Sequence, residues 1–163
     1  MGQLDVDGLM DTRELRTFTK GVLADLKALE QMLETAAEMF SYTVGVLING
    51  EPDTDAQAEV YDRDRRINEL EREVRRAVVT RLSMHGNQAS IPTALILMNA
   101  VKDVERIGDY MKNFYEVSHL LPADIDRGMY QEYLVGRSRT IEDLFARTLQ
   151  CFSESNTEKA QDI

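Results

Sequence analysis

Two carboxylates in one short stretch are the residues of this chain best suited to chemistry. Glu105 and Asp109 lie four residues apart within the segment from Asp103 to Tyr110. On a helix, that spacing places both side chains on one face, with their Cβ atoms about 5–6 Å apart. Gly108 interrupts the same helical segment at a cost of roughly 1 kcal/mol relative to alanine. We therefore expect a neighbouring helix or a ligand to approach the chain closely at Gly108.

A second polar pair with the same spacing, Asp64 and Asn68, lies upstream. Carboxylate and amide oxygens, without cysteine or paired histidine, suit Mg²⁺, Mn²⁺, Ca²⁺ or iron. The alternative is that the downstream carboxylates form ordinary ion pairs with Arg106, Lys112 or the arginines near Asp64, because such charge patterns are common on exposed helices. The residues alone leave both interpretations open.

The composition indicates one globular, mainly helical domain. The chain has 163 residues, of which 43% are hydrophobic and 29% charged, with three prolines and no tryptophan. Its net charge of −10 argues against general nucleic-acid binding, which requires a basic face. No apolar run approaches the roughly 20 residues of a membrane span, and the N-terminus lacks the pattern of a secretory signal. Because Cys151 is the single cysteine, we expect a cytoplasmic protein.

Arginines are concentrated in one segment. Seven of the fourteen lie from Arg63 to Arg81, where they alternate with acidic residues. The spacing predicts ion pairs between residues four apart on a helix, namely Asp62–Arg66 and Glu71–Arg75. We interpret the segment as a solvated helix face with weak ion pairs. A phosphate-binding or partner-binding surface is the alternative.

Apolar residues recur at three- and four-residue spacing in four long segments, and no strand pattern competes. The predicted fold is all-α: an elongated antiparallel three-helix bundle with a fourth long helix. Breaker residues separate the segments, among them Asn49 to Asp53 and His85 to Gln88. The predicted helices cover about 12–48, 55–84, 90–119 and 129–152. We expect the chain to divide into a three-helix bundle at 12–120, a fourth helix at 124–153 and a polar tail at 154–163.

The apolar stripes of these helices define the expected core. In the first helix the stripe is Leu15, Phe18, Val22, Leu26, Leu29, Leu33, Ala36, Phe40, Val44 and Leu47. The second helix contributes Val60, Ile67, Leu70, Val74, Ala77, Val78 and Leu82, and the third contributes Leu97, Val101, Val104, Gly108, Met111 and Tyr115.

Short connections make consecutive helices antiparallel neighbours, which allows the two polar pairs to be placed in space. Both pairs are displaced to the same side of the apolar stripe on their helices. The heights also agree: Asp64 is expected level with about Asp109 to Met111, and Asn68 with about Glu105 to Ile107. The pairs therefore converge on one groove, where their repulsion requires compensation by a bound cation or by Arg106.

The two polar segments resemble those of a known family. The sequence DRDRRINELEREV at 62–74, followed by AVKDVERIGDYMKN at 100–113, is similar to the two most recognisable motifs of the PhoU family of phosphate-signalling proteins. The resemblance extends from Leu15 to about Val117. It implies repeats of a three-helix bundle whose acidic E/D-x-x-x-D motifs bind metal clusters on the bundle surface.

Carried over residue by residue, the resemblance assigns four metal ligands, Glu105, Asp109, Asp64 and Asn68. Asn68 replaces the usual second acid of its motif, so it offers a carbonyl oxygen but no charge. The implied cofactor is a divalent or ferric metal ion, with iron, manganese, magnesium and zinc left open.

Members of the family usually carry two such repeats in a longer chain. Here the first helix aligns loosely with the fourth at an offset of 112 residues, with identities at Glu30/Glu142 and Phe40/Phe152. The fourth helix therefore resembles the first helix of a second repeat. Its apolar face needs a partner, either in a four-helix bundle of the same chain or in a homodimer. That face consists of Leu134, Ile141, Leu144, Phe145, Leu149 and Phe152.

The resemblance implies a cytoplasmic regulator of phosphate transport or phosphate signalling, which acts through contacts with a phosphate transporter or a sensor kinase. A related alternative is a cytosolic domain of a sodium–phosphate cotransporter, because similar domains are attached to such transporters. A carboxylate di-iron protein is a third interpretation, but it requires Glu-x-x-His on each of two helices, and only Glu116 to His119 provides one. Because no catalytic motif occurs, we expect no enzymatic activity.

Overall fold

A computed structural model describes residues 12–49, 54–85, 90–122, 126, 128–154 and 160. They form four helices, as predicted, and each boundary lies within two residues of its expected position. No strand occurs in this described part of the chain. The predicted breaks at 50–53 and 86–88 lie outside it, as does the polar tail apart from residue 160. The helices are α1 (Thr12–Asn49), α2 (Thr54–His85), α3 (Ile91–Leu120) and α4 (Gly128–Glu154).

The first three helices form a bundle in which each helix packs against the other two. α2 runs antiparallel to α1, because Arg63 near its start meets Glu38 and Arg81 near its end meets Asp25. The chain reverses again before α3, which therefore runs parallel to α1. This is the predicted antiparallel bundle.

The core of the bundle contains most of the predicted stripes. In α3 the stripe is confirmed, since all its members are buried except Met111, which is partly buried against the core. In α2 the exceptions are Ala77, which is exposed, and Leu82, which is partly buried against the core. The buried apolar residues of α2 and α3 are Val60, Ile67, Leu70, Val74, Val78, Ala94, Leu97, Val101, Val104 and Tyr115.

α1 buries more of its circumference than one stripe predicts. Met32, Met39 and Val46 lie outside the predicted stripe and are nevertheless buried. The reason is that α1 packs against α2 and α3 on one side and against α4 on another. No other described helix packs extensively against three others, so α1 is the central element of the described chain.

α4 lies along α1 and runs antiparallel to it. The rings of Phe40 and Phe145 meet with centroids 6.0 Å apart, and Ser41 Oγ donates a hydrogen bond to Glu142 Oε1 at 3.3 Å. α4 ends nine residues after Phe145, so its end comes level with about residue 31 of α1. This explains why Leu26, a member of the predicted stripe, is 36% exposed.

The fourth helix does not close a four-helix bundle with the other three. Its packing is on α1, and Ile141, Leu144 and Phe152 on its predicted apolar face remain 37–38% exposed. Part of that face is therefore still available to a partner. None of the four described helices is long and apolar enough to cross a membrane.

Candidate functional site

The polar residues singled out in the sequence meet along the line where α2 packs on α3. We call this line the α2–α3 groove. Its acidic members are Asp64 and Glu71 on α2 with Glu105 and Asp109 on α3, and its basic members are Lys102, Lys112 and Arg75.

Close packing of the two helices depends on Gly108. Ile67 of α2 lies over this glycine, and a Cβ atom at position 108 would stand 2.9 Å from Ile67 Cδ1 and 3.4 Å from Ile67 Cγ2. The expectation of a close approach at Gly108 is confirmed, and the approaching group is the neighbouring helix. The glycine thereby sets the distance between the polar side chains of the groove.

Lys112 connects the two helices. Its ammonium group lies 3.1 Å from Asp64 Oδ2 on α2 and 3.6 Å from Asp109 Oδ1 on its own helix. Burial lowers the pKa of Lys112, but the hydrogen bond and charge of Asp64, with the charge of Asp109, outweigh it, so that the pKa is raised overall. Asp64 and Asp109 are therefore brought together, as the sequence predicts, with an ammonium group between them.

Lys102 pairs with Glu105, a second acid of the groove on α3. Its ammonium group lies 2.5 Å from Glu105 Oε2. The hydrogen bond that Lys102 donates to Glu105 raises the pKa of Lys102, and the charges of Glu105, Glu71 and Asp109 add to the effect. Glu71 itself pairs with Arg75 at 2.8 Å.

The structure corrects the expectation that Arg106 compensates the groove. Arg106 is an exposed side chain whose partner is Asp103, at 3.9 Å. Arg106 lies three residues from both Asp103 and Asp109, so helical spacing alone allows either pair. In the structure the exposed side chain pairs with Asp103. Lys102 and Lys112 each stand three residues from their acid on α3.

Asn68 is partly buried, and its side-chain amide donates a hydrogen bond to the backbone carbonyl of Asp64 at 3.0 Å. Asp64 meets Lys112, one residue beyond the predicted level. Glu71 is a groove residue that was not predicted from the sequence. A signal for it was present: Glu71 follows Asp64 by two helical turns and therefore lies on the same face of α2.

The side-chain oxygen atoms of the α2–α3 groove are arranged for ion pairing rather than for metal binding. Within the described ranges, no three acidic, histidine or cysteine side chains come close enough together to hold a metal ion. The ammonium of Lys112 occupies the space between Asp64 and Asp109, and Asn68 is turned toward its own helix. Metal ligation by Glu105, Asp109, Asp64 and Asn68 stays a prediction.

Between its two ends, where Arg63 and Arg81 also pair with acids of α1, the arginine-rich part of α2 forms local ion pairs. The predicted Glu71–Arg75 pair is present, but the predicted Asp62–Arg66 pair is not, because Asp62 bonds to Arg65. Arg66 instead lies 3.8 Å from Glu69. Most of these side chains are well exposed, which agrees with a solvated helix face.

A second charged feature was not anticipated from the sequence. Arg81 of α2 pairs with Asp25 of α1 at 2.8 Å, with side-chain exposures of only 12% and 4%. Its guanidinium also covers Gly21 and lies 5.8 Å from the centre of the Phe18 ring. Burial raises the pKa of Asp25, while the hydrogen bond and charge of Arg81 lower it again in part. No local sequence pattern marks such a pair, since its members are far apart in the chain.

The di-iron alternative finds no support in the described side chains. Glu116 accepts a hydrogen bond from the hydroxyl of Tyr61 at 2.7 Å. His119 lies in the last turn of α3, where its Nδ1 is 3.1 Å from the carbonyl oxygen of Tyr115 and its ring contacts the Tyr115 ring edge-on. The side chain of the other histidine, His85, lies outside the described set.

Comparison with protein families shows to which family this chain belongs. The PhoU domain matches residues 29–117, which is more than half of the chain and includes all of α2 and nearly all of α3. The chain belongs to the PhoU domain family. The matched residues contain the whole α2–α3 groove, whereas α4 lies beyond them.

The chain is also similar to a curated protein whose name assigns it to a phosphate transport system. The phosphate-specific transport system accessory protein PhoU homolog 1 of Thermotoga maritima is 32% identical over 99 residues. The alignment covers 58% of this chain and 42% of the relative, so the chain spans less than half of that protein's length. No solved structure gives a significant match.

Proposed function

We propose that this PhoU-domain protein is a cytoplasmic regulator of phosphate transport or phosphate signalling, and that it has no catalytic activity of its own. The observation that carries the proposal is the family match over the three-helix bundle. The similarity to an accessory protein of a phosphate transport system supports the same class of function. The expected partners are components of a phosphate transporter or a sensor kinase.

The surface best suited to such contacts lies where α4 starts. There the ends of α1 and α3 and the first turns of α4 enclose a cavity of about 450 Å³, which we call the α3–α4 gully. Val117 is 47% exposed and Tyr133 is 65% exposed, so apolar area is available on both walls. The gully is lined chiefly by Leu47, Phe114, Val117, Leu121, Tyr130, Tyr133 and Leu134. An apolar groove with an aromatic rim is typical of protein contact sites.

Phosphate uptake by the native host tests the proposal. We expect deletion of the gene to change the uptake of radiolabelled phosphate at a fixed external concentration, and we expect expression of the full chain to restore it. Uptake that is identical with and without the gene, in both phosphate-rich and phosphate-poor medium, would contradict the proposal. Sodium dependence of the restored uptake would instead favour the cotransporter alternative.

Variants of the gully test the mode of action. Tyr133→Glu and Val117→Glu place a charge on its two walls, so we expect them to weaken restoration and co-purification of transporter subunits or sensor kinase. Ile96→Glu is the matched control, because Ile96 is 68% exposed elsewhere on α3. If all three variants restore uptake equally well, the gully is not the contact surface.

A further inference from the structure

The acidic residues of the α2–α3 groove are each provided with a cation from the protein itself. Asp64 and Asp109 share Lys112, at 3.1 and 3.6 Å, and Glu105 has Lys102 at 2.5 Å.

The remaining acid follows the same rule. Glu71 has Arg75 at 2.8 Å. Three of the four acids are largely shielded from solvent, with side-chain exposures of 13% for Asp64, 11% for Glu71 and 10% for Glu105. Carboxylates shielded to this degree are unfavourable unless they are paired.

A metal cluster on the same acids would have to displace these cations. A divalent ion needs several oxygen ligands at about 2.0–2.6 Å, yet Lys112 stands between Asp64 and Asp109 and would repel it. Asn68 brings no charge to replace what a second acid would supply, and its amide is bonded to the Asp64 carbonyl. The donor set of this chain therefore does not fit the metal cluster that the family resemblance implies.

We propose that Lys102, Lys112 and Arg75 offset most of the negative charge of the four groove acids in place of a metal ion. We also propose that Lys112 is the tie between the helices, since it joins α2 to α3 at this point. The protein reaches its folded, functional form without metal. Lys112 acts as an internal counter-ion to Asp64, on a different helix, and to Asp109 on its own.

Thermal unfolding of the full chain with and without MnCl₂, after removal of bound metal by a chelator, tests the metal part of the proposal. We expect the melting temperature of the wild-type protein to be the same in both samples. A rise in melting temperature with Mn²⁺ or with iron that disappears in the Glu105→Ala/Asp109→Ala variant would overturn the proposal. The expected result itself is measured on the wild-type protein alone.

The role of Lys112 is tested by its replacement. Lys112→Met leaves Asp64 without its cation, so we expect a fall in melting temperature of roughly 3 °C or more. Lys112→Arg keeps the charge and should retain most of the stability. Lys27→Met is the matched control, because it removes an exposed lysine of α1 and changes the net charge equally. If Lys112→Met is no less stable than Lys27→Met, Lys112 is not a tie between the helices.

Discussion

Gly108 is the residue on which the spacing of α2 and α3 depends. Its missing side chain leaves room for Ile67, and the polar side chains of the groove then lie within ion-pairing distance across the two helices. The cost of a glycine in a helix interior, about 1 kcal/mol, is therefore offset by the packing that it permits.

Substitutions at Gly108 should separate these two effects. Alanine improves helix propensity but places its Cβ 2.9 Å from the flexible end of Ile67, so we expect a change in the free energy of unfolding within about 1 kcal/mol. Leucine should destabilise the protein by about 1–3 kcal/mol, because the helices must separate. Urea unfolding measures both.

The control for this series is Gly136, which is exposed on α4 and has nothing within 4 Å of its Cβ position. Gly136→Leu should be neutral or stabilising. Equal effects of leucine at the two glycines would remove the packing explanation.

The Asp25–Arg81 pair should be the most sensitive charged pair of the bundle. Arg81→Met keeps the length of the side chain but leaves Asp25 buried without its cation, so we expect a loss of about 3–5 kcal/mol at pH 7. Arg76→Met, at an exposed arginine of the same helix, is the control and should cost less than about 1 kcal/mol. Urea unfolding of the two variants side by side would show whether the buried pair matters.

Alkaline pH should lower the free energy of unfolding through deprotonation of Lys112 and Tyr61. The folded pKa of Lys112 is raised above 10.5, so its stabilisation is complete below that pH and is lost as the pH rises through the folded pKa. For Tyr61 the hydrogen bond to Glu116 is the main cause of a pKa raised above 10.0, so the folded state retains its proton longer and stability again falls as the pH rises. The free energy of unfolding should therefore decline above pH 10.

The alkaline decline can be assigned to residues. Lys112→Met should show a shallower decline than the wild-type protein, whereas Lys27→Met should follow the wild-type curve. Denaturant titrations at pH 8, 9, 10 and 11 measure the slopes. Parallel curves for wild type and Lys112→Met would show that Lys112 does not contribute.

Among the helices, α1 and α4 differ most in the number of other helices against which they pack. α1 has three neighbours, and α4 packs on α1. A helix with one principal neighbour buries less apolar area and depends less on the remainder of the fold, so it can open in a separate step. The part of the chain that the structure describes thus consists of a three-helix core and an attached fourth helix.

Hydrogen exchange should reveal this difference. We expect the amides of α4 to exchange faster than those in the middle of α2 and α3. Phe145→Ala removes the ring that contacts Phe40 and should speed exchange in α4 while leaving α2 and α3 protected. Arg139→Ala, at an exposed position of α4, is the control. Uniform protection of all four helices would contradict an independently opening α4.

At the scale of the whole molecule, the uncovered face of α4 bears on the oligomeric state. We propose a homodimer through this helix, because Ile141, Leu144 and Phe152 leave an apolar strip exposed. Sedimentation equilibrium should give twice the chain mass, and Leu144→Glu should reduce it to one. Val79→Glu, at a residue of α2 that is 53% exposed, should remain dimeric. A wild-type protein that sediments as a monomer would exclude this dimer.

The local properties of the chain were readable from the sequence. Helix limits follow from three- and four-residue periodicity and from breakers such as Gly50 and Pro52, which act within a few residues. The glycine at 108 likewise marked a close approach, because its cost is local and demands a reason. The motifs of α2 and α3 indicated the PhoU family, and the match over residues 29–117 confirms it.

Only the tertiary structure decided which charges meet. Arg106 and Lys112 are equally plausible partners for the groove in the sequence, and the rotation of each helix selects Lys112. The pairing of Asp25 with Arg81 and the burial of α1 on two sides depend on helices that are distant in the chain. Periodicity fixes which face of a helix is apolar, but the register between helices and the choice made by long, flexible side chains are settled only when all the helices pack together.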